Sequence, residues 1–205
     1  MSSTQPETPT ETTTETMSNN EPGPHLIPAH FRRLVLTGFM GAGKSTIGRL
    51  LATRLNWEFL DLDAHLEART GATIRQLFER HGEAHFRRLE SSALASALRL
   101  NSTVLALGGG TPESLTNRLL LEQTPGTVVV FLNAPFPTLF DRCVLQDFGD
   151  PAINRPILSD PTAAEARFTT RQTLYTRLAT LTIHTAELTP EATTDAILTV
   201  LANKP

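Results

Sequence analysis

The sequence predicts an α/β fold in which a parallel sheet is covered by helices on both faces. Short apolar runs of strand length alternate along the chain with amphipathic helical segments, and this alternation is typical of parallel βαβ units. Glycine-rich or acidic turns directly follow the first three of these runs. Because ligands of such sheets bind outside the carboxyl ends of the strands, we expect the three turns to form one site.

The 205 residues, 40% of them hydrophobic, are enough for one globular domain and an additional segment. We assign residues 1–30 to that segment, because it is acidic, rich in Thr, Ser and Pro, and has no apolar periodicity. It is expected to be disordered, since it cannot bury enough apolar surface to offset its ordering entropy. It also lacks the basic start and apolar middle of a signal peptide. Residues 31–205 are predicted to form the domain.

Net charge and cysteine content argue against several functional classes. The chain has 18 basic and 21 acidic residues, and four of the acidic ones lie in residues 1–24, which contain no Lys or Arg. The remaining 18 basic and 17 acidic residues make the body nearly neutral, so the sequence predicts no nucleic-acid or membrane surface. No apolar run approaches the ~20 residues of a membrane-spanning helix. The single cysteine, Cys143, rules out an internal disulfide and favours a reducing cytoplasm.

The first half of the chain contains three predicted strands and four predicted helices. Apolar runs of strand length predict strands at 34–36, 57–60 and 103–107. Apolar residues at helical spacing predict a helix after residue 44, a short one at 64–69, one that begins after Thr73, and one at 83–98. Gly71 suits the C-terminal cap of the second helix, and Thr73 the N-terminal cap of the third.

The second half adds two strands and four helices. The run 127–132, with three consecutive valines, is the clearest strand of the chain, and 181–185 is a shorter one. Helices are predicted at 112–121, 136–143, 162–180 and 191–202. Between the second and third of these helices, residues 144–159 are predicted to be a loop, because they contain Gly149, Pro151 and Pro156.

The turn after the first strand contains Gly38-x-x-x-x-Gly43-Lys44-Ser45, the P-loop pattern. Glycines let the backbone wrap closely around phosphate oxygens, and the N–H groups at the start of the next helix then point at the anion. The lysine adds a positive charge near the β- and γ-phosphates, and the serine hydroxyl can bind Mg²⁺. The residues predicted to contact ATP here are Gly41, Ala42, Gly43, Lys44, Ser45 and Thr46.

Other site candidates follow the second and third strands. Asp61 and Asp63 lie two apart, so in an extended segment both would face the same side. A P-loop kinase needs one carboxylate near Mg²⁺ and one that can accept the proton of the acceptor hydroxyl. The alternative is that Asp63 only caps the following helix. Gly108, Gly109 and Gly110 either let a substrate approach the bare backbone or form a flexible turn.

Two arginines are candidates for binding a carboxylate, because the guanidinium fork can bond both carboxylate oxygens. Arg87 lies in Gly82-Glu83-x-x-Phe86-Arg87, and Arg171 lies in Arg171-x-x-Leu174-Tyr175. Composition alone would make each a solvated surface arginine.

Taken together, these motifs resemble those of the shikimate kinases, which are small P-loop kinases of the nucleoside-monophosphate-kinase type. The resemblance covers residues 31–201. It rests on the P-loop, Asp-x-Asp at 61–63, Gly-Glu-x-x-Phe-Arg at 82–87, Gly-Gly-Gly at 108–110, Asn-Arg-Pro-Ile-Leu at 154–158 and Arg-x-x-Leu-Tyr at 171–175. It implies a three-layer fold with a five-stranded parallel sheet in the order 2-3-1-4-5, and a mobile lid at about 144–159. It also implies a monomer that uses ATP and Mg²⁺ to convert shikimate to shikimate 3-phosphate, a step toward chorismate and the aromatic amino acids.

The resemblance further implies residue roles. Lys44, Asp63 and Arg155 would be catalytic, with Asp63 next to the accepting hydroxyl and Arg155, in the lid, at the transferring phosphate of ATP. Asp61 would orient water around the Mg²⁺ that Ser45 binds. The shikimate-binding residues would be Asp63, Arg87, Gly108, Gly109, Gly110 and Arg171. Family members usually carry a second lid arginine near the adenine, and residues 144–154 contain none.

Three other functions compete with this one. A gluconate-type sugar kinase shares the P-loop and the size, but its substrate residues differ. A nucleoside monophosphate kinase usually has more lid arginines for its second nucleotide. A nucleotide-binding regulatory protein without catalysis would not need Lys44, Ser45, Asp61, Asp63 and Arg155 together.

Overall fold

The computed structural model describes Met1, residues 26–149 and residues 160–204. Within them, parallel strands form a five-stranded sheet in the order β2-β3-β1-β4-β5. The strands are β1 (Arg33–Thr37), β2 (Glu58–Asp61), β3 (Thr103–Ala106), β4 (Thr127–Asn133) and β5 (Leu181–His184). The helices are α1 (Lys44–Leu55), α2 (Leu62–Thr70), α3 (Ile74–Ala97), α4 (Leu115–Gln123), α5 (Phe136–Gly149), α6 (Pro161–Leu178) and α7 (Pro190–Ala202). The parallel sheet and the strand order implied by the resemblance are confirmed.

The central strand, β1, is buried along its whole length. Its side chains alternate between two apolar cores, one on each face of the sheet. Leu34 and Leu36 pack in the core that includes Ile197 of α7, whereas Val35 packs in the core that includes Leu94 of α3. A strand that is apolar on both faces therefore requires helices on both faces, which produces the predicted three layers.

Strand register brings the first three carboxyl ends together. Leu36 near the end of β1 lies opposite Ala106 of β3, and Ala106 lies opposite Asp61 of β2. The turns that follow these three strands therefore leave the sheet side by side, as the sequence predicted.

Glycine 82 divides α3 into two parts. The sequence predicted separate helices on either side of it, and the structure joins them in one element in which Gly82 has non-helical angles, φ 73° and ψ 172°. Thr73 caps the first part as predicted, and Gln76 completes a capping box by accepting the Thr73 N–H at 3.0 Å. The boundary predicted between two helices is thus a kink at Gly82 within one helix.

Two predicted boundaries are wrong. The helix expected from Pro112 begins instead at Leu115, after a 3₁₀ turn at Thr111–Glu113, because extended Ser114 interrupts the chain and caps α4. Helix α5 was expected to end at Cys143, but it continues to Gly149, since the turn-forming residues of the predicted loop occur only from there on. The first six residues of the predicted lid, 144–149, are therefore helical, and 150–159 lie outside the described residues.

The described part of the chain extends upstream of the boundary predicted at residue 31. Ile27 is 6% exposed and belongs to the core beneath β1 and α7. Residues 2–25 of the predicted tail lie outside the described residues. Among the helices that the structure describes, none is both long enough and apolar enough to cross a membrane.

Candidate active site

The turn between β1 and α1 has the backbone of an anion-binding loop. Gly41 and Gly43 have φ angles of 75° and 85°, a conformation that residues with a Cβ rarely adopt. Gly43 is the N-cap position of α1, and the first turn of that helix contains no acidic side chain. The N–H groups and the positive end of the helix dipole therefore favour a bound anion here.

The lysine of the loop lies across this turn. Lys44 Nζ donates to the carbonyl oxygens of Gly38 at 2.9 Å and Phe39 at 3.0 Å. These contacts hold the ammonium group at the mouth of the loop, where phosphate oxygens would meet it.

Asp61, not Asp63, caps the helix after the second strand. Asp61 Oδ1 accepts the N–H groups of Asp63 at 3.1 Å and Ala64 at 3.3 Å, while Asp61 Oδ2 accepts the Ser45 hydroxyl at 3.0 Å. The alternative in which Asp63 is merely the cap is therefore wrong. The expectation that both carboxylates lie on one extended segment is also wrong, because Asp63 belongs to the first turn of α2.

Asp63 nevertheless faces the same cavity as the P-loop. Burial, together with the negative charges of Asp61 and Glu90, raises its pKa to about 6, although the positive charge of Lys44 opposes the shift. A Cβ on Gly108 would lie 2.7 Å from Asp63 Oδ1, so glycine at this position makes room for the carboxyl group. A carboxylate with a pKa near neutrality is suited to accept a proton.

The predicted arginines converge on the triple glycine. A Cβ on Gly110 would lie 2.9 Å from Arg87 Nη2 and 3.1 Å from Arg171 Nη2, so the two guanidinium groups are neighbours. The side chains of Arg87 and Arg171 are only 22% and 13% exposed, which contradicts the surface-arginine alternative. On α6, one turn after Arg171, the buried Tyr175 hydroxyl donates to the Gly109 carbonyl at 2.6 Å and ties the helix to this turn.

Acidic side chains that sequence reasoning missed hold these arginines. Glu90 Oε2 accepts Arg87 Nη1 at 3.0 Å, and Glu90 Oε1 accepts the Thr111 hydroxyl at 2.8 Å. Glu113 contacts both arginines, with Oε2 at 2.9 Å from Arg87 Nη2 and Oε1 at 2.8 Å from Arg171 Nε. The i,i+3 spacing of Arg87 and Glu90 was a signal for the first pair. No local pattern indicates Glu113.

A cavity of about 540 Å³ lies between the P-loop and the triple glycine. Its lining includes Lys44, Ser45, Asp61, Asp63, Gly108 and Arg171. A second cavity of the same volume lies near the amino ends of the strands and includes Ile27, Phe31 and Trp57. That cavity offers little for catalysis, since its one cation, Arg54, pairs with Asp195 at 3.0 Å.

A smaller cavity of about 250 Å³ lies on the other side of the P-loop, and the sequence had not predicted it. Its lining includes Gly41, Gly43, Thr46, Arg142, Leu188 and Pro190. Arg142 on α5 is held there by the carbonyl oxygens of Thr185 at 2.7 Å and Ala186 at 3.2 Å.

The structure thus brings together the P-loop residues, Asp61, Asp63, Arg87, Gly108–Gly110 and Arg171. Arg155 lies outside the described residues. Within the described residues, no cluster of three or more His, Cys, Asp or Glu side chains could hold a metal. Any metal at this site would therefore rely on fewer protein ligands.

The chain is similar to known proteins over most of its length. The shikimate kinase family model matches residues 40–202. The shikimate kinase of Geobacter sulfurreducens is 41% identical over 152 residues, which cover 73% of this chain and 80% of the relative. The shikimate kinase of Lactococcus lactis is 38% identical over 164 residues, or 80% of this chain and 94% of the relative.

Solved structures give the same result. A shikimate kinase from Acinetobacter baumannii in complex with shikimate has a TM-score of 0.74 and 35% identity, and the match covers 85% of this chain and 95% of that one. A gluconokinase from Sinorhizobium meliloti has a TM-score of 0.57 and 21% identity, covering 84% and 94%, and shares the fold alone. With the family model matching most of its length and relatives of this identity, the chain belongs to the shikimate kinase family.

Proposed function

We propose that this protein transfers the γ-phosphoryl group of ATP to a ring hydroxyl of shikimate, producing ADP and shikimate 3-phosphate. The observation that carries the proposal is the convergence of two partly buried arginines on Gly110, beside the cavity that contains the P-loop and Asp63. One end of this arrangement suits phosphate groups and the other suits a small acid. Asp63 faces the cavity between them.

The P-loop end holds the nucleotide phosphates. The N–H groups of residues 41–46 and the start of α1 bind the phosphate oxygens, and Lys44 neutralises charge that develops on the transferring group. Because this charge is greatest in the transition state, the lysine acts mainly on the rate.

Ser45 and Asp61 fit a magnesium ion. The Ser45 hydroxyl and Asp61 Oδ2 are hard oxygen donors 3.0 Å apart at the mouth of the P-loop. Mg²⁺ usually takes one or two protein oxygens and completes its coordination with water and substrate phosphates, so a larger carboxylate cluster is not needed. When bound, Mg²⁺ supplies positive charge to the phosphate oxygens. Asp61 would hold water around such an ion.

Asp63 is the proton acceptor. With a pKa of about 6, this carboxylate is mostly ionised at pH 7 yet basic enough to take the proton of the attacking hydroxyl. Gly108 leaves space beside it for a substrate ring, and Gly109 and Gly110 continue that surface.

Arg87 and Arg171 bind the carboxylate of shikimate. They approach Gly110 from α3 and α6, so one planar carboxylate lying there can bond both. Glu90 and Thr111 keep Arg87 in position.

The cavity of about 250 Å³ beside the P-loop is the proposed site for the adenine. Arg142 provides a planar cation at this cavity, in place of the arginine missing from the lid segment. The role of Arg155 at the transferring phosphate stays a prediction from the sequence, as do the monomeric state and the cytoplasmic location.

The alternatives have less support. A gluconate-type kinase shares the fold, but its similarity to this chain extends no further than that. A nucleoside monophosphate kinase or a non-catalytic nucleotide-binding protein would leave the paired Arg87 and Arg171 beside Asp63 without a purpose.

A substrate panel tests the proposal. ADP release is measured with shikimate, gluconate and nucleoside monophosphates, with Lys44→Ala as the inactive control. We expect turnover with shikimate alone, dependent on added Mg²⁺. Comparable turnover with gluconate or a nucleotide, or none with shikimate, would refute it.

A further inference from the structure

We propose that Glu113 is an internal carboxylate that occupies the substrate-carboxylate position on Arg87 and Arg171, so that the acid substrate binds by displacing it. The inference rests on the proposed function and assigns a role to a residue in the turn between β3 and α4. Substrate binding would then be an exchange of one carboxylate for another.

The geometry of Glu113 is that of a bridging carboxylate. Its Oε2 lies 2.9 Å from Arg87 Nη2, and its Oε1 lies 2.8 Å from Arg171 Nε. One oxygen thus bonds each arginine, which is the arrangement that a single ring carboxylate would adopt between them. Two carboxylates cannot make these same bonds at once.

Glu113 differs from Glu90 in how firmly it is held. The Glu90 side chain is 2% exposed, and it also accepts the Thr111 hydroxyl, so it is a permanent partner of Arg87. The Glu113 side chain is 34% exposed and extends from a three-residue 3₁₀ turn. A partly exposed carboxylate that rotates into water regains hydration, which offsets the ion pairs that it gives up, so Glu113 is the partner that can leave.

Charge balance also requires this exchange. Arg87 and Arg171 face three carboxylates, those of Glu83, Glu90 and Glu113. With all three in place the cluster has no surplus positive charge to attract another anion. Among the described residues, Glu113 is the carboxylate paired with Arg171, so its departure frees that guanidinium for the substrate.

The exchange has a consequence for selectivity. Displacing Glu113 breaks charge-assisted bonds to both arginines, and only another anion can replace them. A neutral polyol has no such group, so it cannot displace Glu113. Glu113 therefore lowers the affinity for the acid, but it lets only an anion occupy the arginine pair.

The test is the affinity for shikimate of Glu113→Gln, measured by calorimetry without nucleotide. Glutamine keeps the shape and removes the charge, so we expect the Kd to fall by roughly tenfold or more, as when a charge-assisted competitor is lost. The KM for ATP should not change. The Kd of the neutral methyl ester of shikimate should change far less, because the ester cannot take the place of a carboxylate.

Glu83→Gln is the matched control. It also removes one negative charge beside Arg87, but its side chain is 67% exposed and Arg171 is not among its partners. Its effect on the shikimate Kd should stay within about threefold, as for an exposed ion pair. Glu113→Ala serves as a second variant, and thermal melting shows that each protein is folded.

Several outcomes would overturn the inference. A raised or unchanged shikimate Kd in both Glu113 variants would mean that this residue positions the arginines. Equal tightening for the acid and the ester would mean that the site has merely opened. If one of these two results is obtained and the wild-type protein still binds and phosphorylates shikimate, only this inference fails. If the wild-type protein neither binds nor phosphorylates shikimate, the proposed function fails, and this inference fails with it.

Discussion

The two ends of the site are built in different ways. The phosphate end consists of nearly consecutive residues, and Lys44 reaches carbonyl oxygens only six and five positions away. The acid end joins distant segments, since Arg171 contacts Glu113 across 58 positions and Tyr175 contacts Gly109 across 66. Local backbone geometry therefore forms the first, and tertiary packing with ion pairs forms the second. A substitution at one end of the site should therefore change the binding or reaction of one ligand and leave the binding of the other unchanged.

Replacing the P-loop lysine should have the largest effect. Lys44→Ala removes positive charge from the transferring phosphoryl group, so we expect kcat to fall by about 10²–10³. Because the acid end does not depend on this loop, the Kd for shikimate without nucleotide should stay near that of the wild type. Lys204→Ala is the control, since its Nζ contacts the Thr180 carbonyl away from the cavity. A folded Lys44→Ala protein with near-native kcat would disprove the kinase assignment.

Asp63 lies between the two ends, and its loss should act on chemistry. Asp63→Asn keeps the shape but removes the proton acceptor, so kcat should fall by more than about tenfold, equivalent to ~1.4 kcal/mol in the barrier. ATP binding should change little. Steady-state kinetics measure both. Retention of more than a tenth of the wild-type kcat would mean that another group, or water, takes the proton.

The acid end should respond through KM for shikimate. Arg87→Ala and Arg171→Ala each remove a charge-assisted bond, so each should raise KM roughly ten- to hundredfold while leaving the KM for ATP unchanged. The double variant should show a coupling energy, because both arginines grip one carboxylate. Strictly additive effects would argue that they bind separate groups.

The predictability of the two ends follows from the same difference. A phosphate-binding loop is formed by consecutive residues, so its position after β1 could be predicted from residue spacing alone. The three layers were also predictable, because runs such as Val128–Val130 are apolar on both faces and need helices on either side. The strand order was implied by the family resemblance and agrees with the structure.

Three features were not predicted from the sequence: the contact of Glu113 with Arg171, the cap of α2 and the end of α5. Glu113 lies beside Arg171 only because α6 packs against the turn after β3, and no short pattern encodes that contact. Asp61 instead of Asp63 caps α2 because this helix, expected at 64–69, begins two residues earlier at Leu62, directly after β2. Helix α5 continues past Cys143 because residues without a strong breaker can extend a helix that is already packed.

The raised pKa of Asp63 predicts a conflict between function and stability. Its folded-state pKa of about 6 lies above the usual 3.8, so folding favours the protonated form, and the contribution of this group to stability is lost as pH rises through 6. Asp63→Asn should therefore be more stable than the wild type at pH 8, by up to about 3 kcal/mol. The difference should vanish below pH 3.8. Denaturant titrations at both pH values measure it.

The same pKa should appear in the kinetics of the wild type. Since the ionised carboxylate accepts the proton, kcat/KM should decline as pH falls below about 6. An unchanged kcat/KM between pH 7 and pH 5 would mean that Asp63 does not accept the proton, even if Asp63→Asn lowers kcat.

The smallest expected effect concerns the contact that joins α6 to the triple glycine. Tyr175→Phe removes the hydroxyl that donates to the Gly109 carbonyl at 2.6 Å and leaves the buried ring in place. Losing one neutral hydrogen bond to a part-buried carbonyl should lower the free energy of unfolding by about 1 kcal/mol. Because Arg171 lies one turn away on the same helix, the KM for shikimate should rise a fewfold, while the KM for ATP stays constant. An equal change in both KM values would show that this contact supports the P-loop as well, and the two ends of the site would then not be mechanically separate.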